Sequence, residues 1–180
     1  MSDGSRGTQT YPGLYRGTVL PMPDPEFRGR LMLNIPDVLA FVPSTWVEPC
    51  TPLSGPTGPG MGVYMVPPPG AGVWVMFEQG DPDKPVWIGC RFDTQADPPA
   101  MSKLSNPVDP SIIVSTMLQN QLVISDLPPT PITGGIVLQS TTGAMLVVND
   151  SGIYIDNAKG ASIWLVGPTI TFNKTAMAIT

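Results

Sequence analysis

Two kinds of hydrophobic pattern run along this chain of 180 residues. In the first half, short segments rich in Val, Ile, Trp, Phe and Met alternate with Pro and Gly. They fall at 15–20, 29–35, 45–51, 61–66, 72–78 and 86–91. Segments of this length and residue type, bounded by turn formers, predict β-strands. In the second half the runs are shorter and more regular: IVLQS from Ile136, AMLVV from Ala144, GIYI from Gly152, SIWLV from Ser162 and TITFN from Thr169. TTG, NDS, DNAKG and GP punctuate them, about eight to ten residues per strand and turn, as in repetitive β-architectures.

Period-two alternation assigns faces to these later runs. Ile136, Leu138, Leu146, Val148, Ile153, Ile155, Ile163, Leu165, Ile170 and Phe172 fall on one side, while Tyr154, Trp164 and Thr171 point the other way. The expectation is one greasy face and an opposite face of mostly Ser, Thr and Asn. A sheet with one apolar face and no helix to cover it needs a second layer. Copies of the same segment supply one, so this part is expected to be an obligate homo-oligomer closed around an axis. Met177 and Ile179 close the chain as apolar residues near its end; brought together at one apex they would form a docking patch.

Composition sharpens this division. Of 23 prolines 19, and of 23 charged residues 18, precede position 111. Residues 93–110, with QADPP, SNP and VDP, cannot continue a ladder and read as a linker. The fold class is therefore all-β, in four parts: an N-terminal tail at 1–12, a barrel at 13–92, the Pro-rich linker at 93–110 and the oligomerising β-segment at 111–180. Six short strands fit a partly open barrel of the oligonucleotide/oligosaccharide-binding (OB) type.

Chemistry is constrained by what is missing. The chain has no His, which removes imidazole bases, Ser-His and Cys-His pairs and most zinc chemistry. A net charge of -5 argues against nucleic acid and against anionic membrane surfaces. No window approaches a membrane span, so no stable membrane insertion is expected. MSDGSRGTQT lacks the basic start and apolar run of a secretory signal, and a cytoplasmic product is expected, carried out of the cell only as part of something larger. Cys50 and Cys90 are too few for a disulfide scaffold and read as small buried hydrophobes. Trp46, Trp74 and Trp87 are expected in the core, and Glu48, Glu78, Asp81 and Asp83 in solvated positions rather than in a carboxylate pair. No enzyme activity, cofactor or metal is expected.

GRLMLNIPDV (29–38), then Trp46, then GPGMGVYMVPPPGAGVWVMFEQGDPDKPVWIG (58–89) resembles the barrel domain of central spike proteins of contractile injection machines, namely the phage baseplate spike and the valine-glycine repeat proteins of type VI secretion. Gly80, Asp81, Pro82, Pro85 and Gly89 stand where that family has its turn "G-D-P-x-x-P-x-x-x-G". TPITGGIVLQSTTGAMLVVNDSGIYIDN is similar to the start of the triple-stranded β-helix of the same proteins. The resemblance implies a homotrimer whose C-terminal chains intertwine as a β-helix or β-prism, with the ten inward residues as the trimer core. It also implies a separate hub or baseplate protein below the tube, since the chain is too short to hold one, and a PAAR-like tip protein docking at Met177 and Ile179. The function implied is a structural puncturing needle that breaches a target envelope. The alternative from another class is an OB-fold module for glycan or single-stranded nucleic acid, with a trimerising stalk.

Overall fold

The computed structural model describes residues 9–56, 58–103, 111–126, 134–174 and 176–179, without the side chain of Ala178. The chain forms two compact units, Met1–Gln95 and Ala96–Thr180.

In the first unit, β1 (Tyr15–Val19), β2 (Leu33–Asn34), β3 (Glu48–Pro49), β4 (Gly72–Phe77) and β5 (Pro85–Arg91) make one sheet in the order β2-β1-β4-β5-β3. A short helix, α1 (Pro36–Leu39), follows β2 with proline in its first turn, where a missing N–H costs nothing. All pairs are antiparallel except β3 with β5. The two edge strands are joined just before they begin: Leu31 and Val47 exchange backbone hydrogen bonds of 3.1 and 2.8 Å. That bridge curls the sheet into an OB-like barrel and removes the open edges on which sheets aggregate.

Alternation fills the interior. Along β4, Val73, Val75 and Phe77 are buried while Trp74 and Met76 face outward. With Val19, Leu31, Leu33, Ile35, Val47 and Trp87 they form one core cluster. Trp87 anchors it further, donating from Nε1 to the Gly29 carbonyl at 3.1 Å. Gly17 lies where β1 crosses this core; a Cβ there would stand 3.1 and 3.2 Å from Val75 and Val73 methyl carbons.

Three expected strands are cut short or absent. The 29–35 segment keeps only a two-residue strand and the Leu31 bridge, because the Arg28 and Arg30 amides at its start donate to the Asp24 carboxylate (2.8 and 3.1 Å) rather than to a ladder. The 45–51 segment is reduced to Glu48–Pro49 with a bridge at Val47. The 61–66 segment is not a strand; an isolated bridge from Gly62 to Ser54 is its pairing, and the three prolines that follow supply no N–H to extend it. Asp24 itself is nearly buried and paired with Arg30, whose Nη2 donates at 2.7 Å and Nε at 3.1 Å. That guanidinium, outweighing burial and aided by three backbone amides, holds the Asp24 carboxyl far below the usual carboxylate range.

The second unit begins with a 3-10 turn, Ala100–Lys103, inside the expected linker; residues 104–110 of that linker, like 1–8 of the expected tail, lie outside the described residues. Eight strands follow: β6 (Ser111–Ser115), β7 (Gln121–Ser125), β8 (Gly135–Gln139), β9 (Met145–Asn149), β10 (Gly152–Asp156), β11 (Ser162–Val166), β12 (Thr169–Phe172) and β13 (Met177–Ile179). They make one antiparallel meander in strictly sequential order. The alternating runs SIIVS and QLVIS supply β6 and β7 and the terminal MAI supplies β13, three strands more than the five later runs announce.

Two outcomes are expected for the barrel. Gly17→Val overpacks the core and destabilises the first unit by about 1–3 kcal/mol, read as a lower melting midpoint of the full chain by near-ultraviolet circular dichroism. Because the folded Asp24 pKa is depressed, its stabilising contribution is complete above the unfolded value of about 3.9. It is lost as pH falls from there through the depressed folded value. Asp24→Asn should lower the midpoint at neutral pH and flatten its fall in acid.

Candidate functional site

The register of the meander lines up its side chains in columns. One column runs Ile112, Ile124, Ile136, Val148, Ile153, Leu165, Ile170, Ile179, each residue directly opposite the next across a strand pair. A second runs Val114, Leu122, Leu138, Leu146, Ile155, Ile163, Phe172, Met177 in the same way. Both lie on one face, since residues two apart on a strand share a side. All ten residues expected to line the trimer interior belong to these columns. Met177 and Ile179 continue them as a last rung, opposite Phe172 and Ile170.

This face is bare within the chain. Ile112 is 61 % exposed, Leu138 47 % and Ile155 45 %. The opposite face is different. Between the two columns, pointing the other way, run Ile113, Val123, Val137, Val147, Tyr154, Trp164 and Thr171. Val123, Val137 and Val147 are essentially inaccessible, and Tyr154 meets Trp164 edge to face at 5.8 Å. The expectation that this face is mostly Ser, Thr and Asn therefore holds only at the strand ends. A five-residue strand puts three positions on this side, mostly polar outside and apolar in the middle, with Met145 and Val166 at strand ends and Thr171 in a middle as exceptions.

In the barrel, the turn holding Gly80, Asp81 and Pro82 links β4 to β5. Gly80 adopts φ +79°, and its carbonyl accepts the Tyr11 amide at 2.9 Å. A Cβ on Gly80 would come within 3.0 Å of Thr10, so the absence of a side chain admits the incoming chain. Asp81 accepts the Asp83 amide at 3.0 Å, an Asx turn, and Pro85 opens β5, buried. Gly89 flanks the β-bulge between Trp74 and Val75, with open space where a Cβ would stand.

The acids do not assemble a carboxylate pair. Glu48 is bound to Arg28 at 3.0 Å, Asp81 lies 4.0 Å from Lys84, and Glu78 and Asp83 are exposed. Two expectations about packing are corrected. Cys50 and Cys90 are exposed free thiols, because Cys50 follows the two-residue β3 and Cys90 lies beyond the bulge of β5. Of the three tryptophans only Trp87 is core; Trp46 is covered by Arg30, and Trp74, on the outer side of β4, has Arg16 and Arg91 over its ring at 5.8 and 5.9 Å. Those guanidinium groups occupy the ring faces that a stacked base or sugar would need.

The bare two-column face is thus the surface that most needs a partner, and comparison with known families agrees. Residues 111–178 match the phage baseplate V C-terminal trimerisation domain. Residues 15–92 match the type VI secretion system/phage-baseplate injector OB domain. The chain belongs to the phage baseplate V family. No curated protein matches it. In this baseplate V chain the meander coincides with the trimerisation domain and the curled sheet with the injector OB domain, and both families are structural. No helix among the described residues is long and apolar enough to cross a membrane.

A charge placed in a column tests the site. Ile155→Lys should convert the particle to monomers, because an unpaired ammonium buried between copies costs several kcal/mol. Asp83→Asn, on the exposed turn, should leave the mass unchanged when both are measured by light scattering.

Proposed function

We propose that this chain is the central spike of a contractile injection system or phage-tail-like baseplate. Three copies join through the faces bearing Ile136, Leu138, Leu146, Val148, Ile153, Ile155, Ile163, Leu165, Ile170 and Phe172. The barrels seat on a hub protein below the tube, the β-segment projects forward, and the last rung, Met177 and Ile179, receives a PAAR-like tip protein. The assembly forms in the cytoplasm and works as part of the particle, breaching the target envelope with force generated elsewhere.

The observation that carries this reading is the unbroken pair of apolar columns, bare in one chain and eight strands long, in a chain that also holds an injector-type barrel. A needle must pass load without bending. A prism of three meanders has its backbone bonds satisfied along each sheet and a dry interior between sheets, so it has no soft seam. The envelope-facing side then carries mainly strand-end Ser, Gln and Asn and few charges, which limits the desolvation cost of passage.

Purified chain is expected at three times 19.1 kDa by light scattering coupled to gel filtration. Particles assembled with the Ile155→Lys chain should lack the terminal spike in electron micrographs and lose injection. A wild-type monomer with intact β-structure at micromolar concentration, or normal injection by spikeless particles, would sink the reading.

A further inference from the structure

One segment of the barrel has the residues of a strand and lacks a neighbour on one side. Residues 50–77 hold no Asp, Glu, Lys or Arg. Within them Met61, Tyr64 and Met65 are 59, 66 and 67 % exposed. Apolar surface gathered in this way marks a contact site, and open strand edges that are meant to stay open are guarded by charge. This one carries none.

The backbone identifies the free side. The Val63 amide donates to the Leu53 carbonyl at 3.0 Å and the Gly55 amide to the Met61 carbonyl at 2.6 Å, so 61–63 is bonded to 53–55 through its odd-numbered residues. In an antiparallel pair successive residues turn their N–H and C=O to opposite sides. Gly62, and by the same alternation Tyr64, turn theirs outward, where no described residue's backbone bonds them. The same segment borders a groove of about 360 Å3, lined by Tyr64 and Val66, which share a side, and by Met22 and Phe27. Phe27 is 82 % exposed, and the charged residues of the groove, Asp24 and Arg30, are paired with each other.

An open donor and acceptor edge and an apolar groove thus meet at Tyr64. Strand addition uses this combination: main-chain bonds hold the incoming segment and pockets take its alternate side chains. A sister barrel has no matching edge to give. Its sheet is tied by the Leu31–Val47 bridge, and the far side of 53–55 is blunted by Pro52, which has no N–H. We propose that residues 62–66 receive an extended, uncharged strand of another protein, the hub of the reading above. It lies beside 61–66 as the third strand of a small sheet, with alternate apolar side chains in the groove against Phe27 and Tyr64. The inference rests on the hub seating proposed above and names the element that makes it.

Hydrogen exchange of the full-length chain, read by mass spectrometry, tests this. In the free protein a peptide covering 61–66 should exchange quickly. In assembled particles it should slow by at least about tenfold, the weight of roughly one backbone hydrogen bond. Equal exchange in the two states overturns the proposal. So does protection already present in the free protein, which would mean that a sister copy covers the edge. Proline substitution gives a second reading. Tyr64→Pro removes an outward N–H, whereas Met65→Pro removes an inward one from the same segment. Offered in competition with wild type, the Tyr64→Pro chain should enter particles at least about tenfold less often than the Met65→Pro chain, with mass and near-ultraviolet circular dichroism alike. Equal entry counts against the pairing. Wild-type chain that is missing from particles altogether removes the hub reading itself.

Discussion

An apolar sheet face with nothing of its own to lie against governs this molecule. The strands of the meander pair with one another within one chain, leaving only the outer sides of β6 and β13 open, so backbone hydrogen bonding makes little demand on a partner. The demand comes from side chains: sixteen aliphatic, Met or Phe positions arranged as two unbroken columns. Water is a poor neighbour for such a surface, and burying it is the largest free-energy gain open to the chain. Trimerisation is thus a folding step for this unit as much as an assembly step.

The barrel solves the opposite problem. Its edges are tied by the Leu31–Val47 bridge, its nine-residue core is enclosed, and its flanking loop is pinned by the Asp24–Arg30 pair. One unit closes on itself within the chain, and the other leaves an apolar face open.

What the sequence disclosed, and what it withheld, follows from the range of the interactions involved. Period-two alternation is local, so the columns could be read residue by residue, and Ile153, Ile155, Ile163 and Leu165 lie opposite one another as the alternation requires. The barrel strands β1, β4 and β5 were legible for the same reason. Closure was not: the Leu31–Val47 bridge joins residues sixteen apart, and the segment at 61–66 has strand composition but pairs only through an isolated bridge to Ser54. The exposed Cys50 and Cys90 were misjudged because residue type carries an average burial, whereas a two-residue strand and a bulge decide the actual one.

The strictly sequential order of the meander also bears on how such proteins diversify. Each strand touches only the one before and the one after, as in other solenoid-like builds. Duplicating or deleting one hairpin therefore leaves every remaining neighbour relation intact. The sheet would lengthen or shorten in increments of two strand spacings, roughly 9–10 Å, with the remaining strand contacts unchanged.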